Sequence, residues 1–388
     1  MTNFVFNAYT EMYFGEGQIK KLPEILERFG RKVLLVYGGG SIKRNGIYDT
    51  ALQLLTDFEV YEVGGVEPNP KIESVREGAA ICKEKAIDVV LPIGGGSTID
   101  CAKVIAGAAM YDGDAWDLVE SPSLIGEVLP IVTVLTMAAT GSEMNKNAVI
   151  SDMSGNLKLG TSSRNFIPKA SVCDPTYTYS VPAIQTAAGT ADIMSHVLEN
   201  YFKEDKDTFV QDSFSESLLK ACIKYCPIAL KEPDNYEARA NLMWASSMAL
   251  NGLCGAGKAG AWSCHPMEHE LSAYYDITHG IGLAIVTPRW MRYILAKEPE
   301  KTLPKFAAFA RNVWNIDETD DYTAANKSID ALENFFISCK IPMHLNEIGI
   351  DSSKLREMAE KTVEHSNLDS AYVKLTADAV EEIFMASL

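Results

Sequence analysis

The chain has 388 residues, 47% hydrophobic and 22% charged, the balance of a protein that folds by burying its own core, and this length implies two domains rather than one. A formal net charge of -17 excludes nucleic acid as a partner, because phosphate binding needs a basic surface. No stretch approaches the roughly 18 apolar residues of a membrane span, and the opening MTNFVFNAYTEMYFGEG lacks the layout of a signal peptide, so a cytoplasmic protein with no membrane partner is expected.

The first half alternates strands and helices. VLLVY (33 to 37), FEVYEV (58 to 63) and DVVLPIG (88 to 94) read as strands, with helical patterns such as IESVREGAAICKEK between them. This is the grammar of a parallel sheet with crossover helices, an α/β Rossmann-like domain. The first and third strands end in the same punctuation, Gly38-Gly39-Gly40-Ser41 and Gly94-Gly95-Gly96-Ser97. Glycines there let the backbone approach a ligand, and the N–H groups that follow can hold phosphate oxygens. Neither loop is a Gly-x-Gly-x-x-Gly fingerprint, so a variant dinucleotide fold is implied. After Pro130 the strand IVTV leads into TMAATGSE, whose Thr136, Thr140 and Ser142 are candidates to line a cofactor, or form a plain hydroxyl-rich loop. NKNAVISD and NLKLG read as a hairpin carrying Asn147 and Lys158 as polar candidates. ASVCDPTYTYSVP, with Pro175 and Pro182, breaks the pattern.

Beyond residue 180 the period is helical, in stretches at 208 to 231, 234 to 254, 278 to 296, 320 to 338 and 351 to 364. The domains expected are 1–180, α/β, and 181–388, all-helical, enclosing a cleft. The acidic runs at 204 to 207 and 317 to 321 read as solvated loop faces. Eight cysteines without a Cys-x-x-Cys spacing, including Cys264, read as core residues in a reducing compartment.

Four of the six histidines lie between Asp192 and His279. Asp192 and His196 are four apart and share a helix face, a spacing that also suits a hydrogen-bonded pair. His265 and His279 lie in SCHPMEHELSAYYDITHG, where Pro266 suits a first helical turn and Thr278 a helix cap. One carboxylate and three imidazoles converging on one divalent ion suit Zn(II) or Fe(II). His269 is left over, free to move protons. His344 and His365 read as ordinary.

A Lewis-acidic ion beside a dinucleotide implies hydride transfer between nicotinamide and the carbon of an alcohol or aldehyde, with His269 or water handling the proton. Taken together, YGGGSIKRNG, GVEPNP, IGGGSTIDCAK, ATGSE, AAGTADIMSH and WSCHPMEHELSAYYDITHG make the chain resemble, along its whole length, the iron-dependent (group III) alcohol dehydrogenases, in their NADPH-linked butanol dehydrogenase and aldehyde reductase branch. The resemblance implies the dehydroquinate synthase-like architecture, a homodimer, and a small alcohol or aldehyde as substrate. It places metal ligands at Asp192, His196, His265 and His279 and the additional active-site histidine at His269. It places cofactor contacts at Gly38, Gly39, Ser41, Asn69, Gly95, Gly96, Ser97, Asp100, Thr136, Thr140, Asn147 and Lys158. Many members carry an acid after the first strand, which favours a free 2′-hydroxyl. Here there is none, and Lys43 and Arg44 follow, so NADP(H) is expected over NAD(H). Met137 and Ala139 depart from the family's usual threonine and glycine, and Pro266 and Glu268 from the general histidine motif. Dehydroquinate synthase itself needs a basic cluster for a sugar phosphate, and Arg164 and Lys169 do not make one. Trp244, Trp262, Tyr274 and Tyr275 are candidates for a substrate pocket or for core.

Overall fold

The computed structural model describes residues 1–204 and 207–388, so Asp205 and Lys206 of the first acidic run lie outside the described residues. The chain divides into two compact units. One comprises Asn7–Val181 and Pro233–Asn251, the other Met1–Phe6, Pro182–Glu232 and Gly252–Leu388.

The first unit holds eight strands: β1 (Glu11–Phe14), β2 (Lys32–Gly38), β3 (Glu59–Val66), β4 (Val89–Gly94), β5 (Val132–Leu135), β6 (Asn147–Asp152), β7 (Leu157–Ser162) and β8 (Ala170–Cys173). Six form a sheet in the order β1-β8-β5-β4-β2-β3, parallel throughout, and β6 and β7 pair as an antiparallel hairpin. A parallel sheet covered on both faces selects continuous apolar strands. Val33 and Leu35 enter one core layer with Val89, Leu91 and the helix Ile47–Leu54. Leu34 and Val36 enter the opposite layer with the helices Ile72–Lys85 and Gly96–Ala108.

One expectation is corrected. ASVCDPTYTYSVP does not merely break the pattern, because Ala170–Cys173 is a parallel strand between β1 and β5. It has only four residues, all buried, so no alternation marks it, and Pro175 follows directly.

The second unit is built of helices, among them Ala183–Tyr201, Phe209–Lys231, Cys264–Tyr275, His279–Lys297, Pro299–Trp314 and Asp321–Ser338. Every residue from Thr186 to Tyr201 is buried, which makes Ala183–Tyr201 the central helix of this unit. The expected helix in 234 to 254 is Tyr236–Ala249, and it groups with the sheet. Among the described residues no helix is long and apolar enough to cross a membrane.

Candidate metal and cofactor sites

Pro182 precedes the first turn of Ala183–Tyr201, and ten residues after it Asp192 projects from a fully buried face with His196 one turn beyond. The helix Cys264–Tyr275 brings His265 in its first turn, with Pro266 beside it, and ends at Asp276, whose φ of 48° closes it in the left-handed region. After Ile277 and the extended Thr278, His279 opens the next helix. Thr278 stands at its N-cap, as expected, but its hydroxyl makes no capping bond. Helix His279–Lys297 lies against Ala183–Tyr201 at Gly280, where a Cβ would stand 2.0 Å from the carbonyl oxygen of Ala188, one turn before Asp192. Only glycine permits this approach, and the approach carries His279 to Asp192.

The result is one carboxylate oxygen faced by three imidazole nitrogens. Asp192 Oδ1 is 3.6 Å from His196 Nε2, 3.7 Å from His265 Nε2 and 3.6 Å from His279 Nε2. These separations are too long for hydrogen bonds. They are near the spacing of ligands on a shared ion, since bonds of about 2.1 Å place neighbouring tetrahedral ligand atoms about 3.4 Å apart, and the ligand atoms of Asp192, His265 and His279 all lie within 4.8 Å of one another. Asp192 Oδ1 and His265 Nε2 are buried without a hydrogen-bond partner, as is His196 Nδ1. Unpaired buried polar atoms are costly, and a divalent cation among them would satisfy the first two. The donor set therefore fits a divalent metal ion, with one oxygen and three nitrogens of the kind Zn(II) and Fe(II) accept.

Electrostatics agree with this geometry. Burial would push the Asp192 carboxyl up, but His196, His265 and His279 hold it well below the usual carboxylate range. Burial lowers the His196 imidazole to about 3, so its lone pair is available. Burial opposes charge on His265 too, yet the carboxylates of Asp192 and Glu199 raise it to about 9. A cation entering here therefore displaces a proton.

Two acidic residues that sequence reasoning missed surround the cluster. Glu199 accepts hydrogen bonds from the backbone N–H groups of Ser263 (2.8 Å) and His265 (2.9 Å), and its Oε1 is 3.2 Å from His265 Nδ1. Glu268 accepts from the Ser272 hydroxyl and contacts His279 Nδ1. Each pairs with a histidine of a different element, 66 residues away for Glu199 and 11 for Glu268, so sequence spacing gave no signal. His269 is half-buried beside this group, its ring 5.7 Å from that of His279 and 6.4 Å from that of His265. Of the four aromatic candidates Trp262 stands here, 4.6 Å from the His265 ring and 5.7 Å from the His196 ring. Tyr274 is bonded to Glu357 and Trp244 packs edge-on against Phe14. Cys264 is buried and its thiol is pushed well above its ordinary value by burial, an inert core group.

The expected cofactor residues lie in the sheet-containing unit. Strands β2 and β4 are neighbours, with β3 beyond β2 and β5 beyond β4, so the strand order reverses between them. Ligands of open α/β sheets bind at the carboxyl ends of strands flanking such a reversal. Gly38, Gly39 and Ser41 leave β2 there, and Gly95, Gly96 and Ser97 leave β4 into the helix Gly96–Ala108, whose first-turn N–H groups suit phosphate. Thr136 donates its N–H to the Gly94 carbonyl, tying the TMAATGSE loop to the same edge. A Cβ on Gly96 would stand 2.3 Å from Thr140 Oγ1, so the two loops touch at that glycine. Asn69 is buried with a φ of 51° in the loop after β3. Asn147 and Lys158 lie on β6 and β7, and Lys158 is buried.

Asp100 has both carboxylate oxygens engaged, one by the Ser142 hydroxyl (2.5 Å) and one by the Val149 N–H (2.9 Å). It therefore braces the loop. Lys103, which sequence reasoning passed over, is fully buried one turn further on and donates to Ser142 Oγ, Asn145 Oδ1 and the Asn147 carbonyl.

Comparison with known proteins agrees with this architecture. The family described as iron-containing alcohol dehydrogenase matches residues 10–175, and its C-terminal domain matches residues 186–388. The chain is 53% identical to NADH-dependent butanol dehydrogenase A of Clostridium acetobutylicum, with 100% of both chains covered. It is 39% identical to the NADPH-dependent aldehyde reductase YqhD of Escherichia coli over 94% of each. The crystal structure of an NADH-dependent butanol dehydrogenase A from Thermotoga maritima superposes with a TM-score of 0.94 at 38% identity, covering 100% of this chain and 99% of that one. Two domain matches that together span nearly the whole chain, and relatives of this identity at full length, place the protein in the iron-containing alcohol dehydrogenase family, as an alcohol dehydrogenase that works with a nicotinamide cofactor and a divalent metal.

Proposed function

We propose that the chain reduces short-chain aldehydes such as butanal to primary alcohols, and catalyses the reverse oxidation, with Asp192, His196, His265 and His279 holding one Fe(II) or Zn(II). The observation that carries this reading is Asp192 Oδ1, buried without a hydrogen-bond partner and 3.6 to 3.7 Å from three imidazole Nε2 atoms. When bound, the ion supplies a Lewis acid for the carbonyl oxygen and the nicotinamide supplies the hydride. The residues of the chain do the rest. The two glycine loops and the Thr136 to Thr140 segment hold the dinucleotide, and Trp262 excludes water from the imidazole cluster. His269, outside the ligand set but beside His279, delivers the proton that neutralises the alkoxide.

The relatives named for butanol support the substrate class. The proposal extends to a preference for NADP(H), which rests on the acid-free Gly38 to Ser41 loop followed by Lys43 and Arg44. Two local features and the relatives' names limit that preference. Lys43 Nζ donates to the Tyr37 hydroxyl (2.8 Å) and lies over the Tyr37 and Tyr48 rings, and Glu62 accepts from both hydroxyls. Arg44 is left as the cation for a 2′-phosphate, and the relatives divide between NADH and NADPH by name. A ratio of kcat/KM for NADPH over NADH near tenfold is expected, on the order of 1.4 kcal/mol. Assembly as a homodimer belongs to the same proposal, and sedimentation equilibrium reads it directly.

The test is anaerobic oxidation of NADPH and of NADH with butanal, using protein stripped of metal and reloaded with Fe(II) or Zn(II). Turnover that requires metal is expected with both nucleotides. No turnover with either metal across short aldehydes would remove the proposal, and a preference for NADH would remove its cofactor clause.

A further inference from the structure

Two buried glutamates are not absorbed by the ligand set. Glu199 and Glu268 are 3% and 0% exposed, and with Asp192 at 2% they bring three buried carboxylates into one cluster. Buried carboxylates are retained where they are paired and hydrogen-bonded. Glu199 is paired through the backbone of Ser263 and His265 and through His265 Nδ1. Glu268 is paired through Ser272 and through His279 Nδ1. In both cases the carboxylate occupies Nδ1, which leaves Nε2 of the same ring aimed at Asp192. The chain also makes room for Glu268: a Cβ on Gly282 would stand 2.7 Å from its Cγ.

We infer that Glu199 and Glu268 are positioning residues that fix His265 and His279 as Nδ1–H tautomers, so that each imidazole offers its Nε2 lone pair to the metal. The inference rests on the metal reading above. A carboxylate behind an imidazole orients the ring and raises its basicity, and removal of such a partner lowers metal affinity by about 10- to 100-fold. His196 is the contrasting case, since its Nδ1 has no hydrogen-bond partner and its orientation comes from packing against Trp262 and His265.

The experiment is Co(II) titration followed by d–d absorption, with a chelator as competitor, on the wild type and on Glu199→Ala, Glu199→Gln, Glu268→Ala and Glu268→Gln. The expected result is binding 10- to 100-fold weaker in the alanine variants, with an altered Co(II) spectrum. The glutamines keep an acceptor oxygen for Nδ1–H and are expected to fall between alanine and wild type. Alanine variants that bind Co(II) with wild-type affinity and spectrum would overturn the inference. A wild type that binds no Co(II) would overturn the metal reading on which it depends. A second measurement needs no variant: long-range proton–nitrogen correlation on 15N-histidine-labelled, Zn(II)-loaded wild type reads the tautomers. His265 and His279 are expected with the proton on Nδ1, and a proton on Nε2 of either would overturn the inference.

Discussion

Gly280→Ala is the most exacting single substitution that the geometry of the imidazole cluster offers. The new methyl would stand 2.0 Å from the Ala188 carbonyl oxygen and 2.6 Å from its carbon, both backbone atoms of the central helix. Ordinary contact begins at 3.4 Å, so the N-terminus of helix His279–Lys297 must withdraw by about 1.4 Å, because a helical backbone cannot bend locally out of the way. His279 is the adjacent residue and moves with it. Metal–ligand bonds tolerate about 0.2 Å, so a displacement of that size removes one of four ligands. We expect metal affinity to fall at least about 100-fold, some 2.7 kcal/mol, and overpacking to cost about 1 to 3 kcal/mol of stability. Chelator-competition titration reads the first, and thermal melting of the metal-free protein reads the second. A variant that keeps wild-type metal affinity would refute the argument that this helix contact sets the position of His279.

Three further substitutions separate proton delivery, cofactor binding and the buried lysine. His269→Ala should lower kcat by about 10²- to 10⁴-fold while leaving bound metal per chain unchanged, as measured by elemental analysis beside steady-state kinetics. Gly96→Ala drives a Cβ into Thr140, a branched side chain with little freedom to turn aside, and should weaken NADPH binding by about tenfold in fluorescence titration with metal content intact. Burial pushes the Lys103 ammonium from 10.5 down to about 8. Between those values the unfolded chain holds more protons than the folded one, so stability rises with pH across that window and the contribution is absent below it. Lys103→Met should lack this rise, a difference on the order of 3 kcal/mol between urea melts at pH 8 and pH 10.5. Parallel pH profiles for the two proteins would contradict it.

Much of this was legible because it is carried by spacing. An Asp-x3-His pair can share one helix face at that separation, and the structure does bring its side chains together with His265 and His279. The glycine triplets announced themselves at strand ends, and the sheet places the two strands side by side. What escaped had no periodic signal. β8 is too short and too uniformly buried to show alternation. Glu199, Glu268 and Lys103 are charged residues on helices, a pattern that usually marks the solvated face. Only tertiary packing reveals that they point inward. Pocket aromatics were equally undecidable, because helical spacing gives Trp262 and Trp244 the same appearance while packing sends one to the imidazoles and the other to Phe14.

The proposed function requires one divalent ion at Asp192, His196, His265 and His279 for aldehyde reduction. The most direct measurement is a stepwise titration of Fe(II) or Zn(II) into chelator-stripped wild type under anaerobic conditions, with bound metal and butanal reduction followed in the same samples, and Asp192→Asn carried alongside. Activity is expected to rise in proportion to occupancy and to level at one ion per chain, with the variant neither binding nor turning over. Activity that is full without metal, or that is unchanged in Asp192→Asn, would contradict it.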